Sequence, residues 1–250
     1  MESTITKYKD GQVTASVEEG ESLTHVISGS SYEDLFRMAS IKEAWDSNPD
    51  SKTLPSTLII GCLIGQRSDR RFSPNTSFDL KIIANFINSM NYDEVRILHP
   101  HSDVSLALIN NSVRISHAAF VDKAIVEAKA DLLISPDAGA YKTTYEIAER
   151  LGIRMIASNK VRVDGEPLIQ VQGDVKDKDC LIVDDMADGG RTFINLAKEL
   201  RKQGATKVYL YVTHGMFHYG FDELKEHIDH IYCTNSYKEI KDEYVTQFKV

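Results

Sequence analysis

The sequence predicts an α/β fold with mainly parallel sheets flanked by helices. Short β-branched runs alternate with amphipathic stretches, the pattern of successive βαβ units. The chemically distinctive residues gather in loops after the strand-like runs, which is where open α/β folds bind ligands. At 250 residues the chain has room for one large domain or two small ones, with ample core.

Taken in order, residues 8–17 and 24–28 read as a hairpin or edge pair. A helix is predicted over 32–45 and a strand over 57–63, followed by a helix over 78–89 and a strand over 94–98. A soft boundary near 112–117 separates two similar sheet domains, 1–115 and 116–250. The second repeats the alternation, with helix 117–129, strand 131–135, helix 144–151 and strand 153–157. Residues 163–172 have poor periodicity and read as mobile or hairpin-like. Strand 180–184 leads into helix 192–203, where Phe193, Leu196, Ala197 and Leu200 follow helical spacing and Gly204 supplies the stop. Strand 207–213, helix 221–226 and strand 230–233 follow. A terminal strand is predicted over 244–250, with the N-terminal domain as a candidate place for it to pack.

The stretch from Cys180 to Thr192 carries the sharpest chemistry. An apolar run ends in Asp184 and Asp185, and Asp188 then precedes Gly189-Gly190 and a helix start near Arg191. Backbone N–H groups at a glycine turn and a helix N-terminus point at an anion, and the helix dipole favours it. Glycine allows close approach and a left-handed backbone. The three carboxylates can accept hydrogen bonds from sugar hydroxyls or hold Mg²⁺. A helix cap needs only one of them. The segment therefore reads as a sugar-phosphate cradle.

A formal net charge of −8 argues against a nucleic-acid-binding surface, which depends on clustered Lys and Arg. No apolar run approaches membrane-spanning length. Cys62, Cys180 and Cys233 sit in apolar runs without paired or metal-type spacing. With no basic-then-apolar leader, they suggest reduced core thiols in a cytoplasmic protein. An acidic protein that binds phosphates needs local cations, so basic clusters carry information. Arg67, Arg70 and Arg71 follow a predicted strand and suit forked contacts to phosphate oxygens. His99 and His101 flank a proline after another strand, where one imidazole can ligate a metal or both can simply line a turn. Ser135-Pro136-Asp137-Ala138-Gly139 and Asn159-Lys160-Val161-Arg162 also follow strands.

Together these segments, from about Tyr8 to the C-terminus, resemble the phosphoribosyl pyrophosphate synthetases (ribose-phosphate diphosphokinases) in the family's own order. The resemblance implies two phosphoribosyltransferase-like domains of type I fold, an N-terminal ATP-side domain and a C-terminal ribose-phosphate-binding domain. By this match Tyr8, Asp10 and Gln12 belong to an adenine-binding hairpin contributed by a neighbouring subunit, which implies a homo-oligomer with a shared ATP site. Arg67, Asp69 and Arg70 match the ATP loop, and His101 and Asp137 the residues near the metal. Lys160 and Arg162 match the catalytic Lys-x-Arg. Asp184, Asp185 and Asp188 match the ribose-binding acids, with Gly189, Gly190, Arg191 and Thr192 completing the phosphate loop. The implied reaction is Mg²⁺-dependent transfer of the β,γ-diphosphoryl group of ATP to an anomeric hydroxyl, with release of AMP.

The pattern departs from the family in the phosphate loop, which usually reads Asp-Thr-x-Gly-Thr. Here a hydroxyl residue is replaced by Gly189 and a small residue by Arg191. The first change opens the pocket and the second adds a forked donor. Both suit an acceptor that extends beyond a 5-phosphate, such as ADP-ribose, and ribose 5-phosphate stays open beside it. Ser68 and His99 also differ from the family's residues, which leaves details of the ATP contacts open. Two readings compete: a type I phosphoribosyltransferase, which shares the cradle but needs neither the hairpin nor Arg67–Arg71, and a non-catalytic regulatory paralogue, which should have lost the reactive residues.

Overall fold

The protein is described by a computed structural model covering residues 3–51, 53–163 and 166–250, with backbone only at 160–163 and 166–168. The chain divides into two compact units, Met1–Ser116 and His117–Val250. Among the described residues no helix is long and apolar enough to cross a membrane.

The first unit opens with an antiparallel hairpin of β1 (Ser3–Lys7) and β2 (Val13–Val17). Its turn is closed by Tyr8 N donating to Gln12 O at 2.8 Å and Gly11 N donating to Tyr8 O at 3.0 Å. Gly11 has φ +92°, which glycine adopts without a Cβ penalty. A parallel sheet follows, in the order β3 (Leu23–Ile27), β4 (Ser56–Ile60), β5 (Glu94–Leu98) and β6 (Ser112–Ile115). The expected pairing of 8–17 with 24–28 is thus corrected. The hairpin closes on itself across Tyr8, and the later run becomes the first strand of the sheet. Helix α1 (Tyr32–Ser47) makes the crossover that a parallel β3–β4 pair requires. Ser31 starts α1 with a capping box: its Oγ accepts from Asp34 N at 3.1 Å and Asp34 Oδ2 accepts from Ser31 N at 3.2 Å. Leu35, Met38, Ile41 and Trp45 of α1 bury the face predicted by their spacing. They meet Leu58, Ile60, Val95 and Ile97 of the sheet and Leu80, Ile83 and Ile87 of α2 (Asp79–Ser89).

Within this core His25 is 7% exposed, and its Nδ1 lies 3.4 Å from Tyr92 Oη, which donates to Met38 O at 3.1 Å. Burial lowers the imidazole pKa from 6.5 to about 4, against a smaller opposing pull from Asp34. Between those values the unfolded chain holds the extra proton, so folding stability rises with pH across this window. The neutral imidazole contributes stability that is complete above pH 6.5 and lost as pH falls towards 4, worth about 3 kcal/mol in full. Denaturant titrations of wild type and His25→Gln at several pH values should show a shallower acid loss in the variant. Identical pH slopes would contradict this assignment.

The second unit holds a seven-stranded sheet ordered β13-β12-β11-β10-β7-β8-β9. Its strands are β7 (Leu132–Ser135), β8 (Arg154–Val163), β9 (Glu166–Val171), β10 (Asp179–Ala187), β11 (Lys207–Gly215), β12 (His230–Thr234) and β13 (Val245–Phe248). Neighbours are parallel except for the β8–β9 hairpin. Alternate residues of the central strands serve two cores. Ile134, Ile182 and Leu210 pack with Phe193, Leu196 and Leu200 of α6 (Arg191–Lys202). Leu133, Leu181, Val183 and Tyr211 pack with Val121 and Ala124 of α4 (Ala118–Ala128) and Ile147 of α5 (Ala138–Leu151). Burial on both faces explains why these strands read as unbroken apolar runs.

Several expected boundaries shift. Helix α5 begins at Ala138 rather than 144, because Asp137 Oδ1 caps it by accepting from Gly139 N at 2.8 Å and Ala140 N at 3.1 Å. Strand β10 continues past Asp184 because its ladder with β11 runs on to Ala187 opposite Gly215. The terminal strand β13 pairs in parallel with β12 on the second unit's own sheet, which corrects the expectation that it packs on the N-terminal domain. All three cysteines, Cys62, Cys180 and Cys233, are buried.

Candidate active site

The cradle forms where β10 passes through Asp188-Gly189-Gly190 into α6. Gly190 has φ +74°, and a Cβ there would lie 3.0 Å from Leu224 Cδ2, so this position requires glycine. Its carbonyl accepts from Phe193 N and Ile194 N, each at 3.0 Å, which starts the helix. The first-turn N–H groups of α6 then point outward beside exposed Arg191 and Thr192, as helix N-termini do. A Cβ on Gly189 would lie 3.3 Å from the ring of Tyr219, tighter than an ordinary contact.

The acids are crowded. Asp185 N donates to Asp184 Oδ1 at 2.8 Å. Burial holds the Asp184 carboxyl well above the usual range, and the charges of Asp185 and Asp137 push the same way. Asp137 thus shares the neighbourhood of Asp184 while capping α5 through one oxygen. Ser158 Oγ donates to Ser135 O at 2.9 Å and Pro136 O at 2.7 Å, which ties the exit of β7 to β8 just before Lys160. In the β8–β9 hairpin the backbone of Lys160 stands opposite Ile169 and that of Arg162 opposite Pro167. The side chains of Lys160 and Arg162 lie outside the described residues.

From beyond the end of β11 His218 reaches Asp188, and from beyond the end of β12 Tyr237 reaches His218. His218 Nδ1 lies 2.6 Å from Asp188 Oδ1, and His218 Nε2 lies 3.2 Å from Tyr237 Oη. A neutral imidazole that donates from Nδ1 and accepts from the tyrosine hydroxyl satisfies both contacts. Neither residue was foreseen from sequence, because His218 and Tyr237 stand 30 and 49 positions away from Asp188 along the chain. The usable signal was the rule that placed the other candidates, since both follow strand ends.

The first unit gathers a second group. Gln66 is buried, and its Oε1 accepts from His101 N at 3.0 Å, which joins the loop after β4 to the loop after β5. Buried Asp69 accepts from Arg70 Nε at 2.7 Å and Nη2 at 3.2 Å. Arg70 therefore holds the Asp69 carboxyl below its ordinary range, helped by Ser102 and the nearby His101. Asp69, Arg70 and His101 lie close together, with Arg70 braced by its own neighbour Asp69. Arg67 lies exposed on the same loop. Tyr8, Asp10 and Gln12 occupy the exposed hairpin tip, where Asp10 Oδ1 accepts from Gln12 N at 3.0 Å.

Among the described residues no three His, Cys, Asp or Glu side chains gather in metal-holding geometry. Mg²⁺ takes one or two carboxylates, several waters and substrate phosphates rather than a closed protein cage. The carboxylates around Asp184 supply the hard oxygen donors such an ion prefers.

Residues 134–249 match the family described as phosphoribosyl synthetase-associated domain. A ribose-phosphate pyrophosphokinase of Mycoplasma genitalium is 32% identical over 196 residues, covering 74% of this chain and 59% of that protein. Ribose-phosphate pyrophosphokinase A of Dictyostelium discoideum is 34% identical over 170 residues, covering 64% of this chain and 52% of that protein. The chain thus spans between half and three-fifths of the length of these curated relatives. Among solved structures, phosphoribosylpyrophosphate synthetase from Mycobacterium smegmatis superposes with a TM-score of 0.79 at 20% identity, covering 99% of this chain and 86% of that one. This last likeness bears on the fold alone.

Proposed function

The chain belongs to the phosphoribosyl pyrophosphate synthetase family, and from that premise we propose that it transfers the β,γ-diphosphoryl group of ATP to the anomeric hydroxyl of a ribose 5-phosphate moiety. The observation that carries this reading is the Asp184–Thr192 cradle, with its crowded acids, left-handed glycine and helix N-terminus at one strand end. The anomeric oxygen attacks the β-phosphorus, the bond from that phosphorus to the α,β-bridging oxygen breaks, and AMP leaves with that oxygen. Such a displacement needs positioning and charge neutralisation more than covalent catalysis.

In this reading Asp184, Asp185 and Asp188 hold the ribose hydroxyls, and the turn from Gly189 to Thr192 holds the 5-phosphate. Arg67, Asp69 and Arg70 align ATP, while Tyr8, Asp10 and Gln12 meet its adenine from a neighbouring subunit of a homo-oligomer. Lys160 and Arg162 supply positive charge to the phosphoryl oxygens in the transition state. Mg²⁺ held near His101 and Asp137 would withdraw charge from the triphosphate. The reaction is assigned to the cytoplasm.

Of the two acceptors, ADP-ribose suits the turn better. Gly189 lacks the hydroxyl side chain that would enclose a terminal phosphate and lies instead against the Tyr219 ring, and Arg191 adds a donor at the rim. The product, ADP-ribose pyrophosphate, can donate an ADP-ribosyl group to nicotinamide and so yield NAD. Initial rates with saturating ATP and each acceptor test this. We expect kcat/KM for ADP-ribose to exceed that for ribose 5-phosphate by roughly tenfold or more, about 1.4 kcal/mol of discrimination. A preference for ribose 5-phosphate would leave the diphosphokinase reading intact and remove the extended acceptor.

A further inference from the structure

Tyr219 is the most exposed large hydrophobic side chain among the described residues, at 86%. Its ring nonetheless has a fixed neighbour: Cδ2 and Cε2 each lie 3.3 Å from the point where a Cβ on Gly189 would stand. The loop that carries it is pinned to the cradle. Met216 N and Phe217 N both donate to Ala187 O, at 2.9 and 3.2 Å, and buried Phe217 packs at 5.0 Å ring separation against Phe221. Gly220, with φ +74°, closes the loop as its N–H donates to Phe217 O at 3.1 Å. Beside Tyr219 in sequence, His218 bonds Asp188 and meets Tyr237 edge-on at 6.0 Å. An aromatic ring is thus held in solvent against the first glycine of the phosphate turn, with two more rings beside that turn.

We propose that Tyr219 is the stacking platform for the adenine of an ADP-ribose acceptor, with Gly189 kept side-chain-free so that the ring can lie directly against the phosphate turn. The proposal rests on the ADP-ribose reading above and adds the residue that enforces it. A phosphate seated on the N-terminus of α6 lies within about one residue of Gly189. An acceptor that ends at that phosphate has no part to place on Tyr219, whereas one that continues through a second phosphate and ribose does. Stacking suits the role because a purine presents a flat π-face and a largely exposed tyrosine offers one in return.

The test compares wild type, Tyr219→Ala and Tyr219→Phe with ATP and either ADP-ribose or ribose 5-phosphate. Tyr219→Ala should raise the KM for ADP-ribose by roughly 5- to 100-fold at nearly unchanged kcat, the range expected for one base stack. Tyr219→Phe should restore it, and the KM for ribose 5-phosphate should be the same in all three proteins. The platform is overturned if Tyr219→Ala leaves the ADP-ribose KM unchanged while wild type still prefers that acceptor. A parallel rise for both acceptors also overturns it, since Tyr219 would then act only by shaping the turn. A wild type that cannot use ADP-ribose removes both the extended acceptor and its platform. Because the side chain is exposed, both variants should fold as wild type does.

Discussion

Replacing Lys160 with alanine should lower turnover roughly 10²- to 10³-fold, about 3–4 kcal/mol of transition-state stabilisation, with a much smaller change in KM for ATP. Negative charge grows on the phosphoryl oxygens during the displacement. An ammonium placed at the hairpin that extends β8 meets that charge late, when it is largest. Ser158 anchors the base of this hairpin to the exit of β7, two positions before Lys160 in the chain. Single-turnover measurements with ATP and acceptor check the prediction directly. Turnover within about tenfold of wild type would take Lys160 out of the chemistry.

Asp184→Asn should move activity and stability in opposite directions. Burial and the charges of Asp185 and Asp137 disfavour the ionised carboxyl in the folded protein. A raised folded pKa means that the folded state binds more protons than the unfolded one above pH 3.8, so stability falls as pH rises through the folded pKa. An isosteric amide removes that cost. We expect a higher Tm at neutral pH, by roughly 2–4 °C for each kcal/mol recovered, and a flatter pH slope. Turnover should fall by at least about 10²-fold, because the amide can no longer accept from sugar hydroxyls at both positions. An amide variant less stable than wild type would mean that Asp184 supports the fold rather than the ligand. The sign is opposite to that at His25, whose lowered pKa makes acid the destabilising direction.

The elements that could be read from sequence were those whose burial has a simple period. Helix α6 shows Phe193, Leu196, Ala197 and Leu200 at helical spacing because one face alone meets the sheet. Strands β7 and β10 are unbroken apolar runs because both faces are covered. The first two turns of α5 were hidden, since Ala138, Gly139 and Ala140 carry no periodic signal and the helix start depends on the cap from Asp137. Helix α3 (Asp103–Leu108) and strand β6 are six and four residues long, too short for periodicity to register. Among the candidate residues of the two units, local motifs marked Asp69, His101, Asp137 and the cradle acids. The contact from Asp188 to His218 and on to Tyr237 was not visible, because it exists only once β10, β11 and β12 lie side by side. Tyr219 was missed for the same reason: its meaning depends on Gly189 beneath it.

In the proposed reaction a ribose anomeric oxygen attacks the β-phosphorus of ATP. Chromatography of the nucleotides formed from ATP and Mg²⁺, with and without a ribose-phosphate acceptor, tests it most directly. AMP that appears only with acceptor, in equal amount to a diphosphorylated sugar product, is the predicted result. ADP as the nucleotide product, pyrophosphate released only when a free base is added, or no turnover with either acceptor would contradict it.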